Sequence, residues 1–252
     1  MLKRLYQLPL FFLLWGLCST AMFVPMGYAL AHQSFFEARM FGYSAVLGLF
    51  LLFMVGLALS NRKFELSGVR QLSSLLLGFV LLPLYLAIPF NEALGTTWFS
   101  SSYLEMVSAL TTTGFRTFDA GRLSETLHLW RALVAWLGGG IMWVTAAAIL
   151  APMNLGGFEV TAAGNGEFST RQYNFSTSSE MAHFLERTVN MMVPTYAGLT
   201  MVLWILLVMS GDMGLNAFVT AMSVMSTSGM SMQNFGDPVT QQWLGEAIIL
   251  MF

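Results

Sequence analysis

The sequence predicts an all-α membrane protein. A helix pair precedes two copies of one unit, each made of a span, a short half-helix ending in a hydroxyl-glycine turn, and a second span. Three observations carry this. Apolar residues make up 56% of the 252 and charged residues only 10%, against about 25% charged in an ordinary soluble domain. Uncharged runs of about 20 residues recur, the length a helix needs to cross a hydrocarbon core about 30 Å thick. Finally, the stretch around Ser108 to Gly114 recurs in kind at Ser223 to Gly229.

The same composition excludes other classes. Eleven Lys and Arg spread over this length, with a net charge of -2, cannot build the clustered basic surface that nucleic acid requires. Cys18 is the single cysteine and lies inside an apolar run, so there is no internal disulfide framework and no thiolate metal cluster.

Six candidate spans follow in order. Leu8 to Ala31 and Phe41 to Ser60 carry no charge, and Leu72 to Phe90 is Leu-rich and interrupted by Pro83. Leu127 to Met153 has Arg131 near its start and Gly138, Gly139 and Gly140 in its middle. Val189 to Met209 is the fifth, and the sixth begins near Val239 and runs to Phe252. Lys3 and Arg4 before an apolar run that ends in Ala29-Leu30-Ala31 also resemble a secretory signal, but the run exceeds the usual 7–15 residues of such a signal.

Positive charge sets the expected orientation. Lys3, Arg4, Arg62, Lys63, Arg70, Arg171 and Arg187 fall on one side of the membrane, and Arg39, Arg116, Arg122 and Arg131 on the other. The more basic side is cytoplasmic, which places the N-terminus there. The expected organisation is a two-helix extension over 1–66, a first repeat over 67–155, a cytoplasmic linker over 156–184 and a second repeat over 185–252. Asn154 to Glu180 is the longest polar segment, rich in Gly, Ser and Thr, and reads as a linker joining the repeats.

The segments between the third and fourth spans, and between the fifth and sixth, are too short and broken to cross. Trp98 to Phe118 and Gly214 to Gln233 align so that Ser108 meets Ser223, Thr111 meets Ser226, Thr112 meets Thr227, Thr113 meets Ser228 and Gly114 meets Gly229. Non-helical backbone at membrane depth is tolerated only where protein buries it or water lines it, because an unpaired peptide group in lipid costs several kcal/mol. A half-helix can dip partway and return as extended chain, with the glycine permitting positive φ at the turn. Carbonyls from such a stretch, aimed at an axis, replace the hydration shell of a cation. Two copies at matched positions therefore read as parts of a cation pathway.

The segment from Tyr103 to Phe118, YLEMVSALTTTGFRTF, followed by LWRALVAWLGGG at Leu129 to Gly140, resembles the first pore loop and following helix of the bacterial Trk/Ktr potassium-uptake membrane subunits, above all the TrkH type. VMSTSGMS, at Val224 to Ser231, resembles that family's second loop, and the first two spans resemble its extra helix pair. The resemblance implies a pore of four such units, of which this chain carries two. It implies potassium uptake as part of a Trk-type system, with a selectivity filter of Thr111, Thr112, Thr113 and Gly114 in one loop and Ser226, Thr227, Ser228 and Gly229 in the other. Potassium would sit at Thr111, Thr112, Thr227 and Ser228, as substrate rather than cofactor, and no cofactor is implied. It further implies a dimer, a cytoplasmic nucleotide-binding regulatory subunit, and a multi-pass location in the bacterial inner membrane. The repeat offset carries the fourth span past Phe252, so the alternative expectation is a truncated, non-conducting fragment or a membrane scaffold.

Four residues have supporting roles. Glu105 lies inside the first half-helix, where a carboxylate is expensive; it either braces the turn by accepting hydrogen bonds or faces water near the outer vestibule. Arg131 is expected to snorkel to the outer surface rather than face the pore. Its repeat partner, Glu246, has the opposite sign. Gly138 and Gly139 permit close helix packing behind the filter. The nineteen methionines are scattered, which suits adaptable packing better than a soft-metal path. Catalysis is not expected: Ser228-Gly229 could supply a nucleophile, but His32, His128 and His183 lie at span ends or in connections, and there is no HExxH.

Overall fold

The computed structural model describes residues 10–59, 68–147, 178–234, 238–240 and 243–252. Among these, the regular elements are helical: α1 (Leu10–Ala21), α2 (Phe23–Ala31), α3 (Phe35–Leu59), α4 (Gly68–Leu94), α5 (Phe99–Leu110), α6 (Glu125–Thr145), α7 (Ser178–Met209), α8 (Gly214–Met225) and α9 (Trp243–Met251), with a single 3-10 turn at Ala120–Arg122. Five stretches are long and apolar enough to cross a membrane, and α1 with α2 forms one of them. The chain is a multi-pass membrane protein.

The first span is broken at Met22. Pro25 has no N–H to donate and its ring crowds the carbonyl four residues back, at Ala21. The helix therefore re-forms at Phe23. Leu14, Cys18 and Met22 on this segment are buried in the main core. The third span contains Pro83 and Pro89 and still runs from Gly68 to Leu94. Side chains from later helices reach carbonyls near these prolines: Tyr103 Oη donates to Val80 O at 3.3 Å and Trp130 Nε1 to Leu86 O at 3.3 Å. Such contacts supply the polar partners that a proline-containing span needs in lipid.

The helix pair is built into the first repeat. Phe41 of α3 meets Trp130 of α6 edge to face at 5.5 Å, and Tyr28 Oη of α2 donates to Glu125 Oε2 at 2.5 Å. A polar cluster joins α1, α3 and α4, in which Ser19 Oγ and Tyr85 Oη lie 3.0 Å apart and Tyr85 Oη donates to Ser44 O at 2.8 Å. α6 is the hub. It packs on α5 of its own unit and on α8 of the next, and most of its residues from Thr126 to Ile141 are buried.

Several boundaries differ from the sequence reading: the second span begins at Phe35 and not at Phe41, and the third runs over Gly68–Leu94 and not only from Leu72 to Phe90. The fifth span begins at Ser178, so the end of the segment assigned to the linker is helical; the linker up to position 177 lies outside the described residues. The fourth span is helical to Thr145, and its expected end, 148–153, also lies outside. The sixth is a helix only from Trp243 to Met251.

Candidate functional site

Each half-helix has twelve residues, about 18 Å long at 1.5 Å per residue, too short to cross. Their ends repeat bond for bond. Thr111, Thr112 and Thr113 donate backbone N–H groups to the carbonyls of Val107, Ala109 and Ser108; Ser226, Thr227 and Ser228 donate to Met222, Val224 and Ser223. The crossed pair of bonds in each set is a Schellman cap, which satisfies carbonyls that a helix end would leave bare. Such a cap needs a left-handed residue, normally glycine. Here it is threonine: φ is 55° at Thr112 and 53° at Thr227. A β-branched residue in that region is strained, and strain of about 1–3 kcal/mol persists only where surrounding structure imposes it, often at functional sites.

The side chains repeat as well. Thr111 Oγ1 donates to Val107 O at 2.8 Å and pairs with Thr113 Oγ1 at 2.8 Å. Ser226 Oγ donates to Met222 O at 2.8 Å and to Ser228 Oγ at 2.9 Å. These hydroxyls are therefore engaged in shaping the turns. The glycines complete them with φ of 76° at Gly114 and 64° at Gly229. The two are not equivalent, because a Cβ on Gly114 would lie 2.2 Å from Ser228 O, whereas one on Gly229 would meet nothing within 4 Å. Gly114 is thus where the first turn touches the second.

Behind the turns, α6 approaches both helix ends through its glycines. A Cβ at Gly138 would sit 2.0 Å from Leu110 O, the end of α5. One at Gly139 would sit 3.0 Å from Ser226 Cα, at the cap of α8. The C-terminal end of a helix carries partial negative charge, so both caps present a field that favours a cation beyond them.

Glu105 and Arg131 form a buried ion pair, 3.0 Å from Arg131 Nη1 to Glu105 Oε1, with side chains 0% and 1% exposed. Thr117 N–H donates to Glu105 Oε2 at 2.6 Å, so this carboxylate ties the half-helix to the chain returning from the turn. The expected snorkelling of Arg131 is corrected. Its head is enclosed by protein because Glu105, within hydrogen-bond reach, supplies the counter-charge that water would otherwise provide. Arg131 Nη2 also donates to Ser231 O at 2.8 Å and to His128 Nδ1 at 3.2 Å. An arginine cannot accept, so His128 carries its proton on Nε2, which donates to Ala120 O at 3.0 Å.

Sequence reasoning missed Arg116, Thr117, Ser231 and Gln233. Arg116 Nη1 donates to Gln233 O at 2.8 Å, and its Nη2 to Ser231 Oγ at 2.7 Å and to Gly229 O at 3.1 Å. The available signal was Arg116 itself, a cation two residues beyond a turn at membrane depth, which must find acceptors.

No family model matches the chain. Its sequence is 29% identical over 178 residues to the Trk system potassium uptake protein TrkI of Halomonas elongata, covering 68% of this chain and 33% of that protein. Its fold matches the crystal structure of the potassium transporter TrkH from Vibrio parahaemolyticus with a TM-score of 0.74 and 21% identity, over 100% of this chain and 48% of that one. The resemblance to the Trk potassium-uptake family holds in sequence and in fold. This Trk-like chain spans about a third of the length of TrkI and about half of TrkH.

Proposed function

We propose that this chain contributes half of a potassium-uptake pathway of the Trk type. One observation carries the reading: two half-helices end in turns with the same bonds, the same strained threonine and the same positive-φ glycine, 115 residues apart. Strained backbone held twice in one geometry suits a preorganised cation site, where carbonyls substitute for water. The turns are Thr111 to Gly114 and Ser226 to Gly229, with potassium near Thr111, Thr112, Thr227 and Ser228. Glu105, Arg131, Gly138 and Gly139 hold them. The selectivity filter, the inner membrane as location, a second copy and a cytoplasmic nucleotide-binding subunit as partners belong to the same reading, as does potassium as substrate with no cofactor.

Deletion of the gene from its host should lower uptake of rubidium, a tracer for potassium, and return of the wild-type gene should restore it. Thr97→Ser, outside the turns, should restore it too. Gly114→Ser should not, because its Cβ meets Ser228 O and its φ disfavours a side chain. Equal restoration by both variants, or a deletion without effect, removes the reading.

The N-terminus is assigned to the cytoplasm from the excess of basic residues in the N-terminal segment and in the connections between spans two and three and between spans four and five. Reporter fusions after Glu65 and after Thr96 should fall on opposite sides of the membrane, cytoplasmic and external respectively. Both reporting one side would rule this topology out.

A further inference from the structure

We propose that Arg116 is a specificity-determining residue. Its guanidinium engages the Gly229 carbonyl and fixes the chain that returns from the second turn, so that the second turn offers a passing cation fewer backbone oxygens than the first. The inference rests on the reading of the turns as an ion path.

Gly229, Ser231 and Gln233 are alternate residues of that returning segment, and each is held by an arginine of the first repeat. Arg116 takes Gly229 O at 3.1 Å, Ser231 Oγ at 2.7 Å and Gln233 O at 2.8 Å, while Arg131 takes Ser231 O at 2.8 Å. One planar fork that satisfies three acceptors fixes their spacing, which a point-like ammonium cannot do. The arrangement runs in one direction only. At the repeat offset Arg116 corresponds to Ser231 and Arg131 to Glu246, so the second repeat has no cation at either position. The two turns share a backbone geometry and differ in what holds the chain beyond them.

A guanidinium at hydrogen-bond distance from an oxygen repels a second cation at the same oxygen. Gly229 therefore serves the second turn through its positive φ and not as an ion ligand. A pathway distinguishes potassium from the smaller sodium ion by the number and stiffness of the oxygens it presents. Releasing Gly229 O, and with it the returning chain, adds a mobile oxygen that can close on sodium.

The test uses the gene-deleted host carrying wild type, Arg116→Lys or Arg116→Gln, with rubidium tracer uptake inhibited by potassium chloride or sodium chloride. The readout is the ratio of the half-inhibiting sodium concentration to the half-inhibiting potassium concentration, which does not depend on how much protein reaches the membrane. Both variants should lower it about tenfold, Lys included because it keeps the charge and loses the fork. If Arg116→Gln is missing from the membrane, Arg116→Lys decides alone. A wild-type ratio in Arg116→Lys overturns the proposal, and so does one in Arg116→Gln. Absence of rubidium uptake by wild type overturns the ion-path reading and this inference with it, whereas wild-type uptake with unchanged ratios overturns the role of Arg116 only.

Discussion

Arg131→Ala should destabilise the protein by about 3–5 kcal/mol, because it strands a carboxylate that has no water to retreat to. Glu105 is 0% exposed and would keep only the Thr117 N–H at 2.6 Å. His128 Nδ1 and Ser231 O would lose their donor in the same step. Glu105→Leu should cost a comparable amount for the opposite reason, leaving a buried guanidinium without its counter-charge. The double variant Glu105→Leu with Arg131→Met should be milder than Arg131→Ala alone, since two apolar side chains of similar volume leave no buried charge behind. It should stay less stable than wild type by about 1–3 kcal/mol, the cost of the unpaired Thr117 N–H and Ser231 O. Thermal unfolding of purified protein in detergent measures these three variants and the single variant Arg131→Met against wild type. Costs of Glu105→Leu and Arg131→Met that simply add in the double variant would show that the two residues do not act as a pair.

The repeat was legible because its signal is local. A hydroxyl run before a glycine dictates a cap and a turn wherever it occurs, and the offset that aligns Thr112 with Thr227 in the sequence aligns their φ values of 55° and 53° in the structure. Five of the six expected spans were legible for the same reason, since length and apolarity identify them, whereas the sixth is a described helix only over Trp243–Met251. What the glycine signal concealed was the second left-handed residue. Threonine disfavours that conformation intrinsically, and the Schellman bonds of each cap, with the hydroxyl bonds that flank it, hold it there.

The arginines were not legible, because their partners are fixed by tertiary arrangement. Arg116 and Arg131 were counted as charges on the outer side, where the sequence offers water as their natural environment. Their acceptors at Gly229, Ser231 and Gln233 lie a hundred or more residues away and are mostly backbone carbonyls, which leave no trace in residue type. Glu105 was the available clue. A carboxylate inside a half-helix at membrane depth needs a counter-charge, and Arg131 is the basic residue on the span that follows it. Comparing Arg131 with Glu246 obscured this, because the repeats share backbone geometry without sharing electrostatics.

Gly138→Ala should distort the site more than any other single methyl group added to α6. The added Cβ would lie 2.0 Å from Leu110 O, 2.8 Å from Leu110 C and 3.2 Å from Leu110 Cα, all backbone atoms at the end of α5, and none can swing aside as a side-chain tip would. Either α6 or the cap of α5 must move. Overpacking of this kind costs about 1–3 kcal/mol, and here the moving part carries the first turn. Neighbouring glycines set a scale. At Gly139 the nearest atoms are Ser226 Cα, Ser226 Cβ and Tyr196 Oη, all at 3.0 Å, and at Gly140 the Tyr196 ring lies at 3.3 Å, so damage should fall along the series. Gly198 in α7 meets nothing within 4 Å, and Gly198→Ala should be neutral or stabilise by about 0.5–1 kcal/mol through the better helix propensity of alanine. Unfolding temperature in detergent and rubidium uptake in the gene-deleted host should both rank Gly138→Ala below Gly139→Ala, Gly140→Ala and Gly198→Ala, in that order. A Gly138→Ala protein as stable and as active as Gly198→Ala would mean that α6 does not press on the end of the first half-helix.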